Sequence, residues 1–257
     1  AGMLRSVPAE FASSGWPGRV LEQLGALHLL VQAHRALGRL PADLAATVRS
    51  RIGYSVGKAE VMAQRGVLDH WFAVGMVDTA EYRLDTRRVW LYGASSGRWA
   101  VIMSFAPPGG ALDATVLAGQ MLHAQLHFYP GSGQFRALVG EQTSATAEPT
   151  MPPTESFAAL RARYAQLVAS DPWAVRMPAV ITAVPVPGTE RWRLRAENGD
   201  CCDIIDLPDE PWPLLARSAG EPIEVFGEWT PRGFRPHSLL GSEATEPFST
   251  AVVPRGA

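Results

Sequence analysis

Gly93-Ala94-Ser95-Ser96-Gly97 has the G-x-S-x-G spacing of a nucleophile elbow, which would make Ser95 an acylating serine. That elbow needs a strand, a sharp turn and a helix, so that the serine projects above a sheet. The run that follows, Arg98-Trp99-Ala100-Val101-Ile102-Met103-Ser104-Phe105, has strand composition instead. No downstream Asp-then-His pair has a context that marks it as the rest of a triad. Ser95 therefore reads as part of a Gly/Ser hairpin turn. His123 and His127 stand four apart and share a strand face with Gln125, and no adjacent carboxylate or thiol completes a metal site. They read as a solvated face opposite Leu122, Ala124, Leu126 and Phe128. His28 and His34 lie six apart, off the i,i+4 spacing of a helical metal pair, and read as bordering a helical core. Cys201 and Cys202 are adjacent. A bridge between them would be strained, and two thiols cannot make a four-ligand zinc site. Both read as small buried strand residues in a reducing compartment. No Gly-rich phosphate loop or paired-carboxylate arrangement stands out. The expectation is a chain that is not an enzyme, with no catalytic residues, metal site or cofactor.

Binding chemistry is better represented. Arg191, Arg193 and Arg195 alternate with Trp192 and Leu194, which puts three guanidinium groups on one face of a strand. Such a stripe could follow a phosphate backbone or grip an acidic partner. Asp200, Asp203, Asp206, Asp209 and Glu210 follow across the Asn198-Gly199 turn, so local pairing competes with both roles. Of the eight tryptophans, Trp71, Trp90, Trp99, Trp192 and Trp229 fall in strand-like runs, where core packing is their ordinary role. In a single-strand-binding barrel, aromatics such as Trp99 and Trp229 would instead serve as stacking platforms. The candidate binding set is Arg191, Arg193, Arg195, Trp99 and Trp229.

The elements that would position these residues follow from periodicity. Val20, Leu21, Leu24, Leu27, Leu30, Val31 and Leu37 recur at helical spacing between Gly18 and Leu40. A second helix runs from Ala42 to Ile52 after Pro41. From Asp69 the period shortens to strands at 71–74, 89–92, 99–103, 121–129 and 135–139, with Pro130-Gly131-Ser132-Gly133 a turn. The polar stretch 141–153 reads as a linker. A helix over 155–170 follows, with Thr154 as its N-cap and Pro172 beyond its end. Strands return at 179–186, 191–196, 201–207, 222–229 and 234–240. The fold class is α+β: helical residues 1–66, a β module over 67–142, linker and helix over 143–172, a second β module over 173–242, and a tail over 243–257.

The two β modules read as copies. Trp90 and Gly97 align with Trp192 and Gly199 at one offset, and Gly119, Phe128 and Pro130 align with Gly220, Trp229 and Pro231 after a slip of one. Phe135-Arg136 then matches Phe234-Arg235. Three strands, a connection and two more strands is the order of a five-stranded OB-like barrel, and other small barrels or sandwiches fit the same order.

Composition bounds the partners. Hydrophobic residues make up 47% and charged residues 19% of the 257, normal for a chain that buries a core. A net charge of −2 argues against a broad basic surface for duplex DNA. Of the 23 lysines and arginines only Lys58 is a lysine, which reads as coding bias. No apolar run reaches the roughly 20 residues of a membrane helix, and Ala1-Gly2-Met3-Leu4-Arg5 opens no signal peptide. The expectation is a cytoplasmic protein.

Several of these segments together resemble bacterial SWIM zinc finger family proteins. They are Gly15-Trp16-Pro17-Gly18-Arg19-Val20-Leu21-Glu22 with Leu27-His28-Leu29-Leu30, and Arg88-Val89-Trp90-Leu91-Tyr92-Gly93 with Ser96-Gly97-Arg98. Phe128-Tyr129-Pro130-Gly131 and Asp171-Pro172-Trp173 continue the series. It closes with Val225-Phe226-Gly227-Glu228-Trp229 and Arg232-Gly233-Phe234-Arg235-Pro236. The Cys-x-Cys…Cys-x-His finger that names the family is absent, so the chain resembles the region downstream of it or a finger-less relative. Zinc is expected only in that absent finger. The resemblance implies membership in a system with MoxR-type AAA ATPases and von Willebrand A-domain proteins. The function expected is a non-catalytic protein-interaction or scaffold region, with single-stranded nucleic-acid binding through tandem OB-like barrels as the alternative.

Overall fold

The N-terminal helices form where the apolar spacing placed them. α1 spans Trp16–Arg35, a 3₁₀ turn spans Leu37–Arg39, and α2 spans Ala42–Ile52. Gly53, at φ 107°, takes the left-handed conformation that ends α2. A short α3 (Lys58–Met62) follows. The computed structural model describes residues 16–81, 84–144, 149–189, 191–206, 211–241, 245–247 and 253–254. Gly15, the middle of the expected linker, Leu207, Asp209, Glu210 and most of the expected tail lie outside the described residues.

Leu30, Val48 and Trp173 form the small core of this region, with Ala26, Ala33, Leu37, Leu40 and Leu44 around it. Trp173 belongs to a distant segment and is held by name: its indole N–H donates to the Ala26 carbonyl at 3.0 Å, and Arg51 donates to the Trp173 carbonyl at 2.9 Å. Burying a side chain of this kind is worth about 1.5–3 kcal/mol, so Asp171-Pro172-Trp173 ties the helices to the β region. His28 and His34 do not border that core; both are exposed on α1.

Two antiparallel sheets make up the rest. The first has β1 (Val67–Glu81), β2 (Leu84–Gly93), β3 (Trp99–Ala106), β4 (Met121–Phe128) and β5 (Ala137–Ser144), in the spatial order β3-β2-β1-β4-β5. After α4 (Phe157–Ser170), the second has β6 (Met177–Val186), β7 (Arg193–Arg195) and β8 (Cys201–Asp203). It is completed by α5 (Trp212–Ser218), β9 (Ile223–Thr230) and β10 (Gly233–Leu240), in the order β10-β9-β6-β7-β8. Short β11 (Thr245–Pro247) adds to β10, and β12 (Val253–Pro254) runs parallel to β1. Counted within each unit, the order is 3-2-1-4-5 both times. A single parallel bridge then brings the third strand to the fifth: Val101 to Arg136 in the first unit, Ile204 to Phe234 in the second.

Each unit has its own core. Trp71, Leu91, Leu122 and Leu126 fill the first; Phe157, Leu160, Leu194, Trp229 and Phe234 fill the second. Phe128 packs on the first core and Trp229 in the second, as the alignment of the copies expects. The aligned glycines also agree in conformation, Gly97 with Gly199 and Gly119 with Gly220 all at positive φ. The aligned tryptophans do not agree. Trp90 points away from its own core into a cluster shared with the other unit, whereas Trp192 packs on its own core. Turn length explains the difference. Gly93 bonds to Arg98 across four residues, Ala196 to Asp200 across three, and one residue of slip reverses every side chain on the strand.

Boundaries also moved. β5 continues to Ser144, inside the expected linker. The cap of α4 is Ser156, whose hydroxyl accepts from the Ala159 N–H at 3.2 Å, rather than Thr154. The short helices α3 and α5 had not been expected.

Candidate functional site

The expected arginine stripe is present. Arg191, Arg193 and Arg195 are all exposed, while Leu194 between them is fully buried. Strand alternation at about 3.3 Å per residue spaces such groups by roughly 7 Å. Asp203 lies opposite Arg193 across the β7–β8 pair and accepts from Arg191 at 3.1 Å and Arg193 at 3.3 Å. A simple two-residue hairpin would have put Asp203 on the core face. The three-residue turn ending in Gly199, at φ 86°, shifts it to the arginine side. A cavity of about 390 Å³ is lined by Pro187, Gly188, Thr189, Arg191, Arg193 and Asp203. The two tryptophans of the candidate set are elsewhere. Trp229 is buried in the second core, and Trp99 stacks on Phe226 at 5.6 Å between the units. The stripe and the tryptophans do not line one groove.

The contact between units is the most highly organised polar site among the described residues. Phe72, Val74, Trp90 and Val101 from the first unit meet Val180, Phe226 and Leu240 from the second. Beside them Glu228 of β9 is 1% exposed. Its carboxylate accepts the Trp90 indole N–H at 3.2 Å and the Arg176 guanidinium at 3.1 Å, with His237 Nε2 at 3.4 Å. Burial pushes the Glu228 carboxyl upward, but the His237 hydrogen bond and the charges of Arg176 and Arg88 hold it well below its usual range. Burial pushes the His237 imidazole down, against the pull of Glu228, so it stays neutral. The Ser238 hydroxyl donates to the Val74 carbonyl at 2.7 Å, a further tie across the same contact. Glu228 and His237 are buried and Arg176 is partly exposed at the rim, an arrangement that suits them to joining the units.

The G-x-S-x-G segment joins β2 directly to β3, without a helix. Asp69 organises the turn: its carboxylate accepts the N–H groups of Ser95 at 3.0 Å and Ser96 at 2.8 Å. Burial raises the Asp69 carboxyl, and the Ser96 hydroxyl and these N–H groups outweigh it, leaving the group below its ordinary range. The histidines of β4 do not share a solvated face. His127 stays on the face opposite Leu122, Ala124 and Leu126 but is covered there, its Nδ1 2.8 Å from the Gln64 carbonyl. His123 remains half-exposed, against the ring of His70 at 4.6 Å.

Residues 1–52 match the family model described as a SWIM-associated four-helix bundle domain. The N-terminal helices are therefore similar to that domain. No curated protein and no solved structure matches the chain. The metal-ligating side chains among the described residues do not fit the zinc that a SWIM finger implies. Cys202 is buried, with its thiol pushed up to about 12 chiefly by burial, and Cys201 is exposed. Among the described residues no group of three or more His, Cys, Asp and Glu could hold a metal ion. No described helix is long and apolar enough to cross a membrane.

The SWIM-associated helices also carry a surface that periodicity alone obscured. Trp16, Leu21, Leu24, Leu29 and Val31 of α1 are exposed, Leu21 at 71%. Apolar residues run around most of this helix, so its pattern could not separate the face packed on α2 from the face left to solvent. A second site went unread. Tyr54, Tyr129 and Arg136 converge on a cavity of about 330 Å³. They are far apart in sequence and share no spacing that marks them.

Proposed function

We propose that this chain is a non-catalytic protein-interaction scaffold within a SWIM-associated protein. The observation that carries the reading is the exposed apolar surface of α1. Isolated exposed leucines are ordinary, but five large apolar side chains concentrated on one helix are the usual mark of a docking face. The rest of the molecule suits a scaffold, since the buried Glu228 site joins the two β units into one body that can hold a docked partner at a fixed angle. The setting is a cytoplasmic multiprotein system with a MoxR-type AAA ATPase and a von Willebrand A-domain protein. The test replaces Leu21 and Leu24 by Asp in the full-length protein and follows complex formation with those two proteins from the same genome. The substituted protein should keep its circular dichroism spectrum and lose the complex. Complexes of equal strength would place the docking face elsewhere.

A second reading rests on the strand order. Two units that each run 3-2-1-4-5, with the third strand bridged in parallel to the fifth, support a pair of duplicated OB-like barrels, a common host of single-stranded nucleic acid. The exposed Arg191, Arg193 and Arg195 favour it. Their pairing with Asp203 and the burial of Trp229 weigh against it, because they leave the stripe partly neutralised and without a stacking platform. Oligonucleotide affinity that falls steeply with salt and with Arg193→Ala and Arg195→Ala would favour this reading.

A further inference from the structure

We infer that the groove between the end of α2 and the β4–β5 turn is a binding site for an extended, proline-rich peptide. This names a partner class at a surface separate from α1, and it rests on the interaction reading only in that both make the partner a protein. One wall is Ser50, Gly53, Tyr54, Ser55 and Val56; the other is Tyr129, Pro130, Gln134 and Arg136; the space between is about 330 Å³. Tyr54 is 67% exposed, although a tyrosine ring normally finds cover. Across from it, the Arg136 guanidinium lies 4.3 Å from the Tyr129 ring centre, and the exposed Phe105 ring is 5.8 Å away. The groove is therefore aromatic on both walls, with a fixed guanidinium at one end.

The polar groups decide which ligand fits. Ser50, Ser55, Tyr54, Tyr129, Gln134 and Arg136 all bring N–H or O–H donors, the hydroxyls and the Gln134 amide oxygen also accept, and no carboxylate lines the groove. A ligand that offers acceptors and flat apolar faces matches the guanidinium and the rings. A polyproline II segment has that composition: its carbonyls point to solvent, its prolines have no N–H, and its rings lie flat on aromatic side chains. Its conformation is preset, so little entropy is lost on docking. A nucleic-acid strand suits the groove less well. One guanidinium cannot track a phosphate backbone, and the groove opens on the carbonyl end of α2, the negative end of the helix dipole.

The test titrates fluorescein-labelled decaproline against the whole chain by anisotropy, with oligothymidine as the second probe. Decaproline should bind, and Tyr54→Ala should weaken it about tenfold, equivalent to about 1.4 kcal/mol. Tyr54→Phe should keep most of the affinity, because ring contact carries the site, and Arg232→Ala, on an exposed turn outside the groove, should leave it unchanged. Tyr54 is exposed on a loop, so the substituted chain should stay folded, checked by its melting temperature. Three results would each overturn the proposal: no saturable decaproline binding, binding indifferent to Tyr54→Ala, or oligothymidine binding that Tyr54→Ala abolishes while decaproline does not bind. None of them bears on complex formation through Leu21 and Leu24, so the two readings fail separately.

Discussion

Glu228 sets the residue-scale behaviour of the fold, because an ionised carboxylate 1% exposed must keep every one of its partners. Glu228→Gln leaves Arg176 without its counter-charge and should lower stability by about 3 kcal/mol in a denaturant titration. Two pH limbs follow from the same site. His237 is held neutral in the folded chain, while the unfolded chain protonates it below about 6.5. Stability should therefore fall as pH drops through that value. Glu228 is depressed when folded, so its stabilisation is complete above its ordinary 4.5 and is lost as pH falls toward the folded value. His237→Gln should flatten the upper limb and shrink the lower one without abolishing it, since Arg176 and Arg88 still act on Glu228, read from melting temperatures across the range. Glu228, Arg88 and Arg235 are the charged groups that act on His237, and only Glu228 favours its protonation.

At the scale of elements, the β2–β3 turn separates a structural serine from a chemical one. Ser95→Ala should leave the melting temperature within about 1 °C, since the turn uses the Ser95 backbone N–H and not its hydroxyl. Asp69→Ala removes the acceptor of two turn N–H groups and should cost about 2 kcal/mol. Labelling of Ser95 by a fluorophosphonate would contradict this account. The hairpins also mark where the sequence stops being readable. The α2 limits, the β2–β3 turn and the near-complete set of strands follow from spacing and turn residues. The alignment of Trp90 with Trp192 failed because the turn after β2 is one residue longer than the turn after β7, and His127 was expected in solvent because the Gln64 carbonyl that covers it is distant in sequence. A one-residue change in a turn leaves almost no trace in composition. The groove at Tyr54 was hidden for a different reason, since only tertiary packing brings residues 50–56 and 129–136 together.

For the whole molecule, the two units act as one body because β1 lies against β9 and β10. Gly75 of β1 shows how close that approach is: a Cβ there would come within 2.6 Å of the Phe226 ring and 3.0 Å of the Ser238 hydroxyl. Gly75→Ala should cost about 1–3 kcal/mol through displaced packing, and limited proteolysis should then separate the units. That rigidity matters to a scaffold, which fixes the angle between what binds the helices and what binds the β units. The most direct measurement of the central claim is hydrogen exchange by mass spectrometry on the full-length protein, with and without the proposed ATPase and von Willebrand A-domain partners. The scaffold account predicts added protection across Trp16–Arg35 and none across residues 191–203. Protection confined to 191–203 and elicited by oligonucleotide instead would contradict it.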